Sequence, residues 1–176
     1  MRILKWLLGI IVTLVVLVFA IALLLPNEYA VTRSIVINAP PEKIYPLIAA
    51  PAEWKKWSVW NQRDPAMQMS YSGPASGTGA GWDWQSKSEG NGGMKFTQAT
   101  PNQNIDYELH FEGMDKPSSG ALKLEPQAGG TKLTWSMHGN AEGKLVMKLF
   151  GPFMDKMVGG DFDSGLKNLK KLVEQS

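Results

Sequence analysis

The chain has 176 residues, with 18 Lys+Arg against 16 Asp+Glu and no cysteine. The surplus cations, Arg2 and Lys5, precede the first carboxylate at Glu28, so the rest of the chain is electrically balanced and the pI near 8.8 belongs to the N-terminus. Balance of this kind argues against nucleic-acid binding, which neutralises phosphates with clustered Lys and Arg. The missing thiols exclude a disulfide framework, thiol catalysis and thiolate metal sites.

From Trp6 to Leu25 the chain carries no charge, and Pro26-Asn27-Glu28 closes the run. As a helix rising about 1.5 Å per residue, it matches the roughly 30 Å hydrocarbon core of a bilayer. Ala20-Ile21-Ala22 resembles a small-x-small cleavage site, which leaves a cleaved signal peptide as the competing reading. Three leucines follow that site, however, and the run exceeds the usual length of a signal's apolar region. The spacing therefore predicts an uncleaved anchor over residues 1–28 and a second domain over 29–176. Arg2 and Lys5 favour a cytoplasmic N-terminus, with the second domain outside, periplasmic in a bacterial host.

Tyr29–Asn38 is rich in β-branched residues and predicts a strand. Pro41–Ala49, with Ile44, Leu47 and Ile48 on one side, predicts a short helix, and Ala52–Trp57 a second short turn or helix. Period-two alternation follows: Met67/Met69/Tyr71, Trp82/Trp84, Met94/Phe96, Ile105/Tyr107/Leu109/Phe111, Leu122/Leu124 and Leu133/Trp135/Met137. Glycine- and proline-containing turns separate these runs too closely for parallel crossovers, so about seven antiparallel strands with one apolar face are expected. Val146, Phe150, Met154, Val158, Phe162, Leu166, Leu169 and Val173 then step by three or four. That stepping predicts an amphipathic helix from about Pro152 to Glu174. A sheet curved around one helix leaves a wedge between them of the apolar kind that ligands favour. The fold class is α+β.

The order of these pieces resembles the SRPBCC or START-like helix-grip superfamily, in its polyketide cyclase/dehydrase-like branch. The residues that carry the resemblance are RSIVINAPPEKIYPLIAAPAEWKKWSVW at 33–60, GTGAGWDWQS at 77–86 and MKFTQATPNQNIDYELHFEG at 94–113. They continue with LEPQAGGTKLTWSMHG at 124–139 and FMDKMVGGDFDSGLKNLKKLVE at 153–174. The resemblance implies a curved sheet around the terminal helix and a cavity for a hydrophobic small molecule or lipid. Some members of that superfamily cyclise polyketides.

Trp57, Tyr71, Trp84, Tyr107 and Trp135 are the expected cavity wall, on a phase they share with core packing. Trp54, Trp57 and Trp60, three apart, read first as a core plug, with an aromatic rim or a membrane contact as alternatives. His110 and His138 fall on the polar phase of their strands, and two histidines without cysteine make a zinc site unfavourable. Asp106 and Glu108 share a solvent-facing phase, whereas Asp161 and Asp163 lie on different sides of a helix. Gly77-x-Gly79-x-Gly81 precedes a strand and lacks the helix N-terminus of a phosphate site. Arg33 and Arg63, the arginines after the anchor, are candidates to hold a ligand carboxylate. No metal or cofactor is expected.

Three functions compete. The first is a membrane-tethered binding protein for an apolar or lipid-like molecule. The second is a cyclase- or dehydrase-like enzyme, which needs an acid or base inside the cavity; Asp83, Glu108 and His110 are the groups whose orientation decides it. The third is an envelope interaction module with an exposed Trp54/Trp57/Trp60 patch.

Overall fold

A computed structural model describes residues 2–114 and 116–175. The alternating runs form seven antiparallel strands: β1 (Glu28–Ile37), β2 (Gln68–Ser72), β3 (Gly81–Gln85), β4 (Gly92–Thr100), β5 (Asn104–Phe111), β6 (Ser118–Gln127) and β7 (Gly130–Asn140). Their order in one sheet is β1-β7-β6-β5-β4-β3-β2, a meander with β1 added beside β7. The inward phase is buried along each central strand, as at Ile105, Tyr107 and Leu109 of β5 or Leu133, Trp135 and Met137 of β7. A register shift between Phe96 and Gln98 in β4 interrupts the ladder, and irregularities of this type increase local bending and twist.

Five α-helices and two 3-10 turns complete the described residues: α1 (Arg2–Leu24), α2 (Pro41–Ala49), a 3-10 turn (Pro51–Lys56), α3 (Val59–Arg63), α4 (Leu145–Phe150), and α5 (Met154–Glu174), which is joined to α4 by the second 3-10 turn (Gly151–Phe153). α3 was not expected, its five residues being too few for a periodic signal. The terminal helix also differs from expectation. It begins at Met154, after Pro152 has been absorbed in a 3-10 turn, and its expected apolar stripe divides. Phe162, Leu166, Leu169 and Val173 are buried, but Val146 and Phe150 on α4 are 66% and 48% exposed.

α5 lies along β1 and covers that strand's unpaired edge, a common protection for sheet margins. Lys170 Nζ donates to the Val36 carbonyl (2.8 Å), and the Asn38 amide donates to Glu174 Oε1 (2.8 Å). Arg33 donates from Nη1 and Nη2 to the Asp155 carboxylate (2.6 and 3.0 Å) and from Nε to Asp163 (3.1 Å). A Cβ at Gly159 would crowd the Arg33 guanidinium and push it off this position.

Hydrogen bonding to Arg33 holds the Asp155 carboxyl below the usual carboxylate range. A group so lowered stabilises the fold above its unfolded pKa and loses that contribution as pH falls through its native value. Arg33→Gln should therefore flatten the acid limb of a melting-temperature profile between about pH 5 and pH 3 while leaving its neutral shape unchanged.

Antiparallel pairing fixes which residues share an end of the sheet. Glu28 of β1 faces Asn140, Leu109 faces Ser118, Gly92 faces Phe111, and Gln68 faces Gln85. This is also the end at which α1 enters, through Leu25-Pro26-Asn27. The Ala141 amide donates to the Asn27 carbonyl (2.7 Å) and ties that link to the end of β7. The opposite end is filled by Ile37, Ile44, Ile48, Ile105, Leu124 and Leu133, all buried. α1 contains 22 residues, Ile3–Leu24, long and apolar enough by length and composition to cross a membrane.

Candidate functional site

Between the anchor end of the sheet and α5 lies an apolar cavity of about 180 Å³. Its walls explain a compositional oddity. Of the chain's nine methionines, seven line it: Met67, Met69, Met94, Met114, Met137, Met147 and Met154. They come from β2, β4, β7, the β5–β6 loop, α4, α5 and the segment before β2, so no run of sequence announces them. Unbranched thioethers fill irregular space and shift at low cost, which suits a wall that must adapt to its contents. The volume is below the roughly 300–1,000 Å³ of drug-sized sites and fits a single ring or a short stretch of acyl chain.

The floor is aromatic. Trp135 stacks on Phe162 of α5 with centroids 3.9 Å apart and planes 7° apart. Its Nε1 donates to the Tyr107 hydroxyl (2.9 Å), which in turn donates to the Ser136 carbonyl (2.9 Å). Burial pushes the Tyr107 hydroxyl well above its ordinary value, and the indole donor only partly opposes this. Tyr107 is therefore a neutral, already satisfied phenol. Higher in the cavity, the Tyr29 hydroxyl pairs with Ser118 Oγ at 3.3 Å.

Beside Trp60 and Glu89 the cavity wall is held by a clasp. From α3, Arg63 makes paired hydrogen bonds to Asp161 of α5 (2.7 and 2.9 Å) and to Glu89 of the β3–β4 turn (3.1 and 2.8 Å). Trp60 Nε1 adds a bond to Asp161 (2.9 Å). Bidentate pairing of this kind fixes geometry as well as charge. Arg63→Gln should free the turn and speed hydrogen exchange in β3–β4. Stability should change by less than about 1 kcal/mol, because the Arg63 side chain is half exposed.

Of the five expected wall residues, Trp84, Tyr107 and Trp135 line the cavity. Trp57 does not; it lies behind the cavity wall, fully buried. Three-residue periodicity in a 3-10 turn eclipses side chains at i and i+3. Trp57 consequently lies against Trp54 with ring centres 4.4 Å apart and planes tilted by 42°, and faces Trp135 edge-on (5.5 Å), with Nε1 donating to the Leu47 carbonyl. Tyr71 shares the inner phase, opposite Trp82, but stands at the free edge of the sheet. It is 45% exposed, with the Lys55 ammonium 5.6 Å from its ring centre. Trp54 and Trp57 are buried and Trp60 is half-buried, so the three make no exposed patch. The arginines do not stand ready for a ligand carboxylate: each is already engaged by two of the chain's own.

Asp83, Glu108 and His110 project from the outer face of the sheet, where His110 Nε2 lies 3.5 Å from Asp83. Among the described residues, no three His, Cys, Asp or Glu side chains gather as a metal site would require. Sequence reasoning held Trp60 only as part of an alternative aromatic rim, and missed Glu89, Tyr29 and the α4–α5 methionines as wall. The usable signal was the concentration of methionine, which alternation within single strands does not reveal.

A curved antiparallel sheet gripping one helix over an apolar cavity defines a helix-grip domain. The chain belongs to the polyketide cyclase/dehydrase and lipid transport family, whose model matches residues 29–174. A comparison with curated proteins gives no match. Among solved structures, Ara h 8.0201 is similar at 15% identity and a TM-score of 0.63, covering 85% of this chain and 99% of that one. Protein CV1439 from Chromobacterium violaceum is similar at 19% identity and 0.59, covering 84% and 97%. DynU16, from the dynemicin biosynthetic locus, is similar at 15% identity and 0.58, covering 82% of this chain and 47% of that one. At these identities the likenesses carry the fold alone.

Proposed function

We propose that the protein is a membrane-tethered binding protein for a hydrophobic small molecule or lipid. Residues 1–28 form the anchor and 29–176 the binding domain. The N-terminus is cytoplasmic and the domain lies outside, in keeping with Arg2 and Lys5 ahead of the uncharged run Trp6–Leu25. The observation that carries this reading is the cavity wall: seven methionines and five tryptophans, with Glu89 the only carboxylate among the described residues that line it, and that one engaged by Arg63. A ligand there gains from burial of apolar surface, at about 25 cal/mol per Å². A tether keeps the domain at high local concentration beside hydrophobic molecules in the bilayer.

The cyclase-like alternative is less well supported, because the groups that would supply acid–base chemistry face away from the cavity and Tyr107 stays protonated. Native mass spectrometry of the full chain released from detergent tests the proposal. A reproducible copurifying apolar molecule, lost on organic extraction and regained on incubation with a total lipid extract, is the expected result. A domain that stays empty after that incubation would overturn it.

A further inference from the structure

The exposed apolar residues of the helix-grip domain are concentrated on one short stretch. Val146, Phe150, Phe153 and Met157 are 66%, 48%, 58% and 58% exposed. Their spacing of four, three and four follows one side of α4 and its continuation into α5. Met147, Met154 and Val158, each one residue further on, line the cavity. Neighbouring helical residues point about 100° apart, so the exposed stripe and the cavity wall are adjacent faces of the same segment.

The position of this stripe is set by α1. The last turn of α1 packs on α4, where Ala22 is buried and Lys148 Nζ donates to the Leu23 carbonyl (3.4 Å). Only Leu25-Pro26-Asn27 separates α1 from β1, a reach of at most about 10 Å. The Ala141–Asn27 hydrogen bond shortens even that freedom. The stripe is therefore continuous with the apolar surface of α1 at the level where the helix ends. Lys144, Lys148 and Lys156 lie along the same stretch, and cations of this kind favour an anionic lipid surface.

We propose that Val146, Phe150, Phe153 and Met157 seat in the headgroup–acyl boundary of the bilayer that α1 enters, which places the part of the cavity wall formed by Met147, Met154 and Val158 next to lipid. This rests on α1 being an anchor, and the two claims fail separately. The chain has no cysteine, so single cysteines report only from their own site. Leu14→Cys, Phe150→Cys, Phe153→Cys and Gln103→Cys, the last in the β4–β5 turn at the opposite end of the sheet, would each carry an NBD fluorophore. The labelled full chains are reconstituted into phosphatidylcholine–phosphatidylglycerol vesicles containing lipids doxyl-labelled at shallow or deep positions.

The expected result is blue-shifted emission at 150 and 153 with loss of fluorescence to the shallow quencher. Position 14 should be lost to the deep quencher and position 103 to neither. If 150 and 153 behave like 103 while 14 is quenched, the anchor stands and the docking is overturned. If 14 is also unquenched, both fall. Val146→Cys and Met157→Cys supply independent labels on the same exposed stripe, so one misfolded variant does not decide the outcome.

Discussion

Trp135→Ala should lower stability by about 3–5 kcal/mol, the range for removing a large buried aromatic. Its indole meets Phe162 face to face, Trp54, Trp57 and Trp60 edge-on, and Tyr107 through a hydrogen bond. Truncation would remove the contact between β7 and α5 and leave the Tyr107 hydroxyl with one partner. In thermal melts of the full chain in detergent, this corresponds to a fall of roughly 6–20 °C for a domain of this size. Trp135→Phe separates the two contributions: it can keep a stack on Phe162 but removes the N–H donor, a loss of about 1–2 kcal/mol. A change below about 1 kcal/mol for the alanine variant would show that the aromatic floor does not hold the sheet to the helix.

The second large effect is on binding. Met137 is 3% exposed and faces the cavity from β7. Met137→Trp puts an indole into a space of about 180 Å³. Retention of the copurifying molecule should fall at least about tenfold, equivalent to about 1.4 kcal/mol. Because the new ring enters existing space, its stability cost should stay within the usual overpacking range of about 1–3 kcal/mol. Met137→Ala is the counterpart. It enlarges the cavity and costs about 2–5 kcal/mol of stability, yet should still retain ligand. Loss of ligand in the stable tryptophan variant and its retention in the weakened alanine variant would tie binding to volume. The reverse pattern would place the ligand elsewhere.

Individual residues show where sequence reasoning worked. Tyr107 and Trp135 were legible as inner-face residues because a strand alternates its side chains whatever lies opposite, and glycine-rich turns made the pairing antiparallel. Trp57 was misplaced because its orientation follows from a 3-10 turn, whose three-residue period cannot be separated from a short α-helix in six residues. Tyr71 has the inner phase, but only the strand order puts β2 at a free margin, where that phase is no longer covered. Val146 and Phe150 continue the apolar spacing of α5, and only the turn at Pro152 separates them from its buried face.

From residue order alone came the apolar N-terminal segment, the number and pairing sense of the strands, the helix that closes the chain, and the family resemblance. These depend on local periodicity, turn chemistry and length, all properties of neighbouring residues. The cavity, the clasp between Arg63, Asp161 and Glu89, and the position of the α4 stripe beside α1 were decided by tertiary structure. Each brings together side chains from distant segments, and the sheet's register and the seating of α5 on β1 determine which of them meet.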